Sequence, residues 1–452
     1  MLGFLDREHS VAEAGFSRWR VPPAALAIHL CIGQAYAFSV FNLPLSRLIG
    51  GTDSAPNDWK LSTIGWVFST AIVFLGLSAA VFGRWVERVG PRKAMFASAC
   101  SFASGFLVAA LGVSLHKFAF VLLGYGVLGG IGLGLGYISP VSTLIKWFPD
   151  RPGMATGMAI MGFGGGAMIA SPLSTALMTY YKASSSQGVA PTFVTMGILY
   201  FLFMMFGVFT VRVPAPGWAP AGKGAQRRAE ISSSKAQVLA QEAIRTPQFW
   251  LLWIVLCFNV TAGIGVLGQA SPMVQEMFPG TITAGAAAGF VGLLSLANMG
   301  GRFFWSSLSD YIGRRATYAT FFLLGAVLYS SVPSAGRMGS VALFVVGYVI
   351  IMSMYGGGFA TIPAYLRDMF GVIQVGAIHG RLLTAWSVAG VLGPSLVNYI
   401  REYQIAHGVA RANAYTVTMY IMAGLLVVGF IANLMVRPVQ ERHFYMEAKE
   451  AA

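Results

Sequence analysis

Twelve apolar segments, each about as long as a membrane-spanning helix, occupy most of this 452-residue chain. A helix rises about 1.5 Å per residue, so about 20 apolar residues are needed to cross a bilayer. The sequence therefore predicts an all-α polytopic membrane protein with twelve transmembrane helices. The segments lie approximately at 23–46, 62–84, 93–114, 118–146, 154–179, 192–211, 248–271, 283–306, 316–335, 341–365, 380–400 and 413–436.

The composition agrees with this prediction and argues against a soluble enzyme. Only 10% of the residues are charged, whereas a soluble globular chain carries about 25%. No nucleophile–base set or metal-ligand cluster is visible, so we expect neither an enzyme nor a bound metal or cofactor. The three cysteines lie in apolar segments without disulfide or metal spacing; they are Cys31, Cys100 and Cys257.

The positive charges are distributed unequally between alternate loops. If the N-terminus is inside, 22 of the 30 Lys and Arg residues fall on the inside and seven outside, and Arg302 is the remaining one. The positive-inside rule then predicts an inner (plasma) membrane protein with both termini in the cytoplasm. The net charge of +14 lies in short loops without a nucleic-acid motif, so we expect the lipid bilayer and not nucleic acid as its partner. We also expect a monomer.

The second half of the chain repeats the first at an offset of 223 residues. Such a repeat predicts two pseudo-symmetric six-helix bundles, at 1–211 and 248–452, joined by a cytoplasmic linker at 212–247. Transporters built from repeats place their substrate site where the repeats meet, near the bilayer midplane. The matched pairs include Gly83 with Ser306, Glu87 with Asp310, Gly90 with Gly313 and Pro140 with Pro363.

Each repeat contains a charged turn at a helix end. The first reads GRWVERVGPRK and the second SSLSDYIGRR. An acidic side chain at such a position can bind basic residues and the exposed amides of a neighbouring helix. We expect both turns to act on the conformational equilibrium through Gly83, Glu87 and Gly90 in the first, and Asp310, Gly313 and Arg314 in the second.

The first turn resembles the loop motif of the major facilitator superfamily, with Glu87 in place of the more usual Asp and Pro91 inserted in the basic run. More specifically, the whole chain resembles the oxalate/formate antiporter family. This resemblance implies transport of small carboxylates by alternating access, without a cofactor. The segments that carry it are AYAFSVF (35–41), KWFPDRPGMATG (146–157), YGGGFATIPAY (355–365) and GAIHGRLLTAWSVAGVLGP (376–394).

Arg302 is a cation inside an apolar helix, which costs roughly 2.5 to 3.5 kcal/mol on insertion scales. The family resemblance implies that it binds the substrate carboxylate, to which a guanidinium can donate two parallel hydrogen bonds. The alternative is that the side chain lifts its charged head to the interface, since Asp310 lies only about 12 Å further along the helix. Asn298 is one turn before Arg302 and belongs on the same face.

The coupling mode depends on titratable groups. Related monocarboxylate–proton symporters tend to carry Asp where this chain has Asn298, and the predicted spans hold no Asp or Glu away from a loop end. This favours an antiporter over a proton-coupled monocarboxylate symporter, the main alternative. His29 is the titratable candidate, although a lone helical His is more often a packing residue. A carboxylate sensor that binds without flux is a third possibility.

Trp386 stands where similar oxalate-specific transporters carry a lysine. One buried cation balances one carboxylate, so the sequence favours monocarboxylates such as formate, lactate and pyruvate over oxalate. We expect aromatic side chains to enclose the rest of the substrate, although most of the many aromatic residues serve packing. The candidates are Tyr36, Phe38, Tyr137, Tyr355 and Trp386.

Overall fold

The computed structural model describes residues 2–51, 54–183, 186–220 and 237–445. Helices make up most of this part of the chain. The principal helices are α1 (Val21–Ile32), α2 (Leu61–Val89), α3 (Pro91–Ser114), α4 (Gly130–Trp147), α5 (Pro152–Tyr181), α6 (Val189–Thr210), α7 (Pro247–Leu267), α8 (Ala284–Ile312), α9 (Arg314–Arg337), α10 (Val341–Phe370), α11 (Val375–Leu382), α12 (Thr384–Ala406) and α13 (Thr416–Met435). Shorter helices cover Asn42–Leu45, Phe118–Val121, Ala240–Ala243 and Ala270–Met277.

Within the described residues, 11 helical segments are long and apolar enough to cross a membrane. The twelfth predicted span corresponds to α8, whose 29 residues also exceed the required length. The predicted all-α polytopic fold is therefore confirmed.

The ends of the long helices follow from proline and glycine. Pro91, Pro152 and Pro247 begin α3, α5 and α7, where the missing amide proton costs nothing. Gly90 and Gly313 separate consecutive helices with φ of 85° and 86°. Residues with a side chain rarely adopt this conformation, so each charged turn reverses the chain through a single glycine.

Two membrane segments depart from α-helical geometry. A 3₁₀ helix, Gly33–Phe41, continues α1, and a π-helical stretch, Leu122–Gly129, leads into α4. The Tyr125 hydroxyl donates a 2.8 Å hydrogen bond to Oε1 of Gln34, which joins the two irregular segments. Phe38 lies 4.5 Å from the Tyr125 ring, so this predicted site residue packs there. Such departures are frequent at functional sites.

The contacts divide the chain into two compact units. Unit 1 comprises Met1–Asp150, Met158–Ser232 and Gln374–Ser387, and unit 2 comprises Arg151–Gly157, Ser233–Ile373 and Val388–Ala452. Each unit thus includes a short piece from the other half of the sequence. The division at 211 and 248 remains a prediction, and residues 221–236 of the predicted linker lie outside the described ranges.

The N-terminal segment packs on unit 1 through a buried arginine. Arg92, only 1% exposed, donates hydrogen bonds to the carbonyl oxygens of Phe4 and His9 and to that of Val211. Its guanidinium also lies 4.2 Å from the Phe4 ring. Arg92 thereby joins the start of the chain to the end of α6.

Candidate functional site

Arg302 lies on α8 and is completely buried. Its Nε donates a 3.0 Å hydrogen bond to Oδ1 of Asn298, one helical turn earlier. Its guanidinium carbon is 5.1 Å from the centroid of the Phe359 ring on α10, within the range of a cation–π interaction. The side chain is therefore oriented inside unit 2 and does not lift its charge to an exposed position.

Tyr355 is the third predicted residue in this group. It is buried on α10, one turn before Phe359, and the two rings meet edge-on at 5.3 Å. Asn259 of α7 and Tyr355 also line one cavity of about 10 Å³, which is about the space for one water molecule. Unit 2 thus brings Asn298, Arg302 and Tyr355 together around Phe359.

The other predicted binding residues form a buried aromatic cluster in unit 1. Tyr137 on α4 is at its centre and is fully buried. The rings of His29, Trp386 and Phe163 lie 5.3, 5.3 and 5.5 Å from it. Tyr36 packs edge-on against Phe163 at 5.0 Å and lies 6.4 Å from Trp386. Unit 1 therefore gathers four of its five predicted residues, His29, Tyr36, Tyr137 and Trp386, whereas Phe38 packs against Tyr125.

Trp386 is held in this cluster by its neighbour in sequence. The Ser387 hydroxyl contacts the carbonyl oxygens of Ile72 and Val73 at 3.2 and 3.1 Å. A side chain at Gly76 would collide with this hydroxyl. The close approach of α2 to the first turn of α12 thus fixes the position of the indole.

Sequence reasoning missed three residues of these groups, Phe163, Phe359 and His379. Phe359 carries no charge and is one of 32 phenylalanines, so nothing in the sequence distinguishes it. His379 lies outside the predicted span, which begins at 380, whereas α11 begins at Val375. The structure places its buried ring 5.8 Å from that of Tyr137.

The first charged turn caps a helix within unit 1. The Glu87 carboxylate accepts a 3.1 Å hydrogen bond from the Gly376 amide at the start of α11. It also accepts a 2.7 Å hydrogen bond from Nζ of Lys146. A carboxylate at this position accepts a hydrogen bond from an exposed amide at the helix start, and it also interacts favourably with the positive end of the helix dipole. A Cβ at Gly83 would lie 2.8 Å from Cα of Ala377, so this glycine allows α11 to approach.

The second turn makes the equivalent contact within unit 2. The Asp310 carboxylate accepts hydrogen bonds of 2.9 Å from the amides of Gly153 and Met154 in the first turn of α5. Arg314 donates to Asp310 at 2.6 Å and to Asp368 at 2.9 Å. Gly153 and Gly376 are themselves a repeat pair at the 223-residue offset, so the two caps are related by the internal repeat.

We expect Glu87→Gln and Asp310→Asn each to slow transport while leaving the half-saturating substrate concentration within a few fold. Each substitution weakens a helix cap without altering either group of predicted binding residues. The measurement is initial uptake rate against substrate concentration in proteoliposomes. Glu242→Gln, at a surface ion pair, provides a matched control, since exposed pairs contribute about 1 kcal/mol or less. A large affinity loss at unchanged maximal rate would contradict this role.

Comparison with known proteins identifies a common family. The sequence model of the Major Facilitator Superfamily matches residues 24–394. The oxalate:formate antiporter of Oxalobacter formigenes is 26% identical, with 82% of each chain covered. Apicoplast pyruvate carrier 1 of Toxoplasma gondii is also 26% identical, over 72% of this chain and 68% of its own. Among solved structures, a proton:xylose symporter has a similar fold, with a TM-score of 0.70 and 16% identity over 94% of this chain and 97% of its own.

Proposed function

Since this chain belongs to the Major Facilitator Superfamily, we propose that it is a secondary transporter that exchanges small carboxylate anions across the membrane. Family and fold make it a membrane transporter and not an enzyme. The observation that carries the proposal is Arg302, a completely buried arginine on a helix that otherwise qualifies as a membrane span by its length.

The geometry around Arg302 suits a carboxylate ligand. The bond from Nε to Asn298 fixes the plane of the guanidinium, and a planar fork of N–H donors matches the two oxygens of a carboxylate. Phe359 stabilises the cation through its ring face. A carboxylate ligand would add charge-assisted hydrogen bonds to this buried guanidinium.

The functions of two relatives support the same substrate class. One relative is an oxalate:formate antiporter and another a pyruvate carrier, and formate, pyruvate and oxalate are all small carboxylates. The sequence favours the monocarboxylates because Trp386 replaces the lysine expected for oxalate transport. We further propose that the protein lies in the inner (plasma) membrane with both termini in the cytoplasm, as the inside loops carry 22 of the 30 basic residues.

Counterflow in proteoliposomes tests the proposed function. Vesicles loaded with unlabelled formate, lactate, pyruvate or oxalate are diluted into labelled pyruvate, and uptake is compared with empty vesicles. Antiport predicts uptake that requires an internal anion. Uptake into empty vesicles driven by a pH gradient would instead indicate proton symport. Binding without uptake would indicate a sensor.

We expect Asn298→Asp to weaken monocarboxylate binding by about tenfold or more. The new carboxylate would stand 3.0 Å from Nε of Arg302 and would compete with the substrate carboxylate for the guanidinium. A tenfold loss in affinity corresponds to about 1.4 kcal/mol. The half-saturating pyruvate concentration in counterflow measures the effect. Asn298→Ala is the matched control, which removes the hydrogen bond without adding charge and should cost only a few fold. Equal losses in both variants would contradict the competition.

A further inference from the structure

A cavity of about 340 Å³ lies at the end of unit 1 that carries the N-terminal segment. It is formed by that segment, the C-terminal ends of α2 and α4, the start of α3 and the chain that follows α6. Each described residue that lines it lies outside the candidate membrane spans or within five residues of a span end. Small-molecule sites in proteins have volumes of about 300 to 1,000 Å³, so this cavity can hold a small solute that enters from water.

Two cations and one carboxylate line this cavity. Arg7 and Lys146 face the same space as Glu87, the one acidic residue among the described lining residues. Nζ of Lys146 donates a 2.7 Å hydrogen bond to Glu87, yet the lysine side chain remains 30% exposed, so a ligand can reach it. Gly90 and Pro91 place the first turn of α3 at the cavity, where the helix dipole adds positive potential. The cavity therefore carries a net positive charge.

Arg7 is held at the cavity by hydrogen bonds to the backbone around it. The buried Arg92 donates to the carbonyl oxygens of Phe4 and His9, which lie on either side of this residue in the sequence. The Ser10 hydroxyl donates a 2.6 Å hydrogen bond to the carbonyl oxygen of Arg7 itself. The backbone that presents the guanidinium is thus ordered before a ligand binds, which lowers the entropy cost of binding.

Both cations have donors left for a ligand. A guanidinium carries five N–H donors and an ammonium three. Among the described residues Arg7 uses one of them, in a long contact of 3.5 Å with the carbonyl oxygen of Glu87. Lys146 uses one, to the Glu87 carboxylate. Much of the remaining wall is apolar and includes Val86 and the proline-containing segment Val213–Pro216.

We propose that this cavity binds a small soluble anion, a carboxylate or a phosphate ester with a short apolar body, between Arg7 and Lys146. Both cations donate charge-assisted hydrogen bonds to the anionic group, and the guanidinium fork matches two of its oxygens. A lipid fits less well, because an acyl chain needs an apolar groove along the spans and this cavity lies at their ends. A bound anion shares Lys146 with Glu87, the residue that caps α11, so the site allows a solute to act on that cap.

Isothermal titration calorimetry of the purified full-length protein with pyruvate and with methyl phosphate tests this site. The titrations use Arg302→Ala, in which the proposed substrate site of unit 2 has lost its cation, and we expect this variant still to bind a single anion per chain. Arg7→Gln or Lys146→Gln, added to Arg302→Ala, should raise the dissociation constant about tenfold or more, because each removes charge-assisted hydrogen bonds. Arg20→Gln, at an exposed arginine of the same segment outside the cavity lining, should leave the constant unchanged.

If Arg302→Ala cannot be purified, the wild-type background gives the same test, since Arg7→Gln should then lower the number of anions bound per chain by one. Binding of either probe that is lost in both cavity variants supports the site and identifies its anionic group. Absence of binding by both probes, or binding that both cavity variants retain, overturns it. The proposed function is tested separately by pyruvate counterflow in the wild type, which does not require this cavity to bind an anion.

Discussion

Arg302→Ala is expected to abolish carboxylate transport in a protein that still inserts into the membrane. The substitution removes the buried guanidinium that Asn298 and Phe359 contact, so no cation remains to bind the substrate carboxylate there. Truncating one member of a buried charged pair typically costs 3 to 5 kcal/mol, which corresponds to about two to three orders of magnitude or more in affinity. Insertion should not suffer, because removing an arginine from a membrane helix makes that helix more apolar.

Arg302→Lys should also lose most of its transport, although the charge is retained. Lysine presents a compact ammonium with no planar fork, so it cannot donate two parallel hydrogen bonds to a carboxylate. It also loses the Nε donor that contacts Asn298 at 3.0 Å. Loss of transport in a variant that keeps the positive charge would show that the geometry of the guanidinium is required in addition to its charge.

The measurement for both Arg302 variants is counterflow of labelled pyruvate, normalised to the amount of protein in the vesicles. Arg337→Ala is the matched control, since Arg337 is exposed near the end of α9 and contacts only a nearby serine hydroxyl among the hydrogen bonds described. Normal uptake by a well-expressed Arg302→Ala protein would end the assignment of this residue.

Monocarboxylates are expected to outcompete oxalate at neutral pH by about a hundredfold or more. An unpaired buried charge costs at least several kcal/mol after relaxation, and each factor of ten in affinity corresponds to about 1.4 kcal/mol. Trp386 stands where the oxalate class carries lysine, so the chain lacks a permanent second cation there. Trp386→Lys should shift the preference toward oxalate.

The substitution at Trp386 places a charged side chain in a buried position, because the indole is fully buried among aromatic rings. Tyr137 and Phe163 lie 5.3 Å from it, and their faces can stabilise an ammonium through cation–π interactions. Inhibition of labelled pyruvate uptake by unlabelled oxalate measures the preference, and Trp386→Phe controls for loss of the indole without added charge. Oxalate binding as tight as pyruvate binding in the wild type at neutral pH would refute the charge-counting argument.

The sequence predicts the helices and Arg302 because both depend on local properties. Hydropathy over about 20 residues identifies a span. A cation within such a span stands out because inserting it into the bilayer costs free energy. The position at which α11 begins does not depend on local sequence alone. Gly376 and Gly380 lower the helical propensity there, while the Glu87 carboxylate stabilises the first turn from a distant part of the chain. The predicted span therefore begins too late and omits His379.

The aromatic residues illustrate a second limit. Phe359 becomes distinctive only when Arg302 lies above its ring and Tyr355 beside it. Tyr36, Tyr137 and Trp386 come from separate helices, and hydrophobic periodicity within one helix does not reveal which rings meet. The family resemblance identified these residues as candidates, but their arrangement around a common centre is a property of packing.

The packing of α11 in unit 1 has a consequence for the order in which the protein is made. The amide of Gly376 and its acceptor Glu87 are 289 residues apart, and the Ser387 hydroxyl contacts carbonyl oxygens of α2 over a similar separation. A ribosome releases the N-terminal helices long before these partners exist. Contacts of such high sequence separation form late. One face of the first helices that enter the membrane therefore stays incompletely packed until most of the chain has been synthesised.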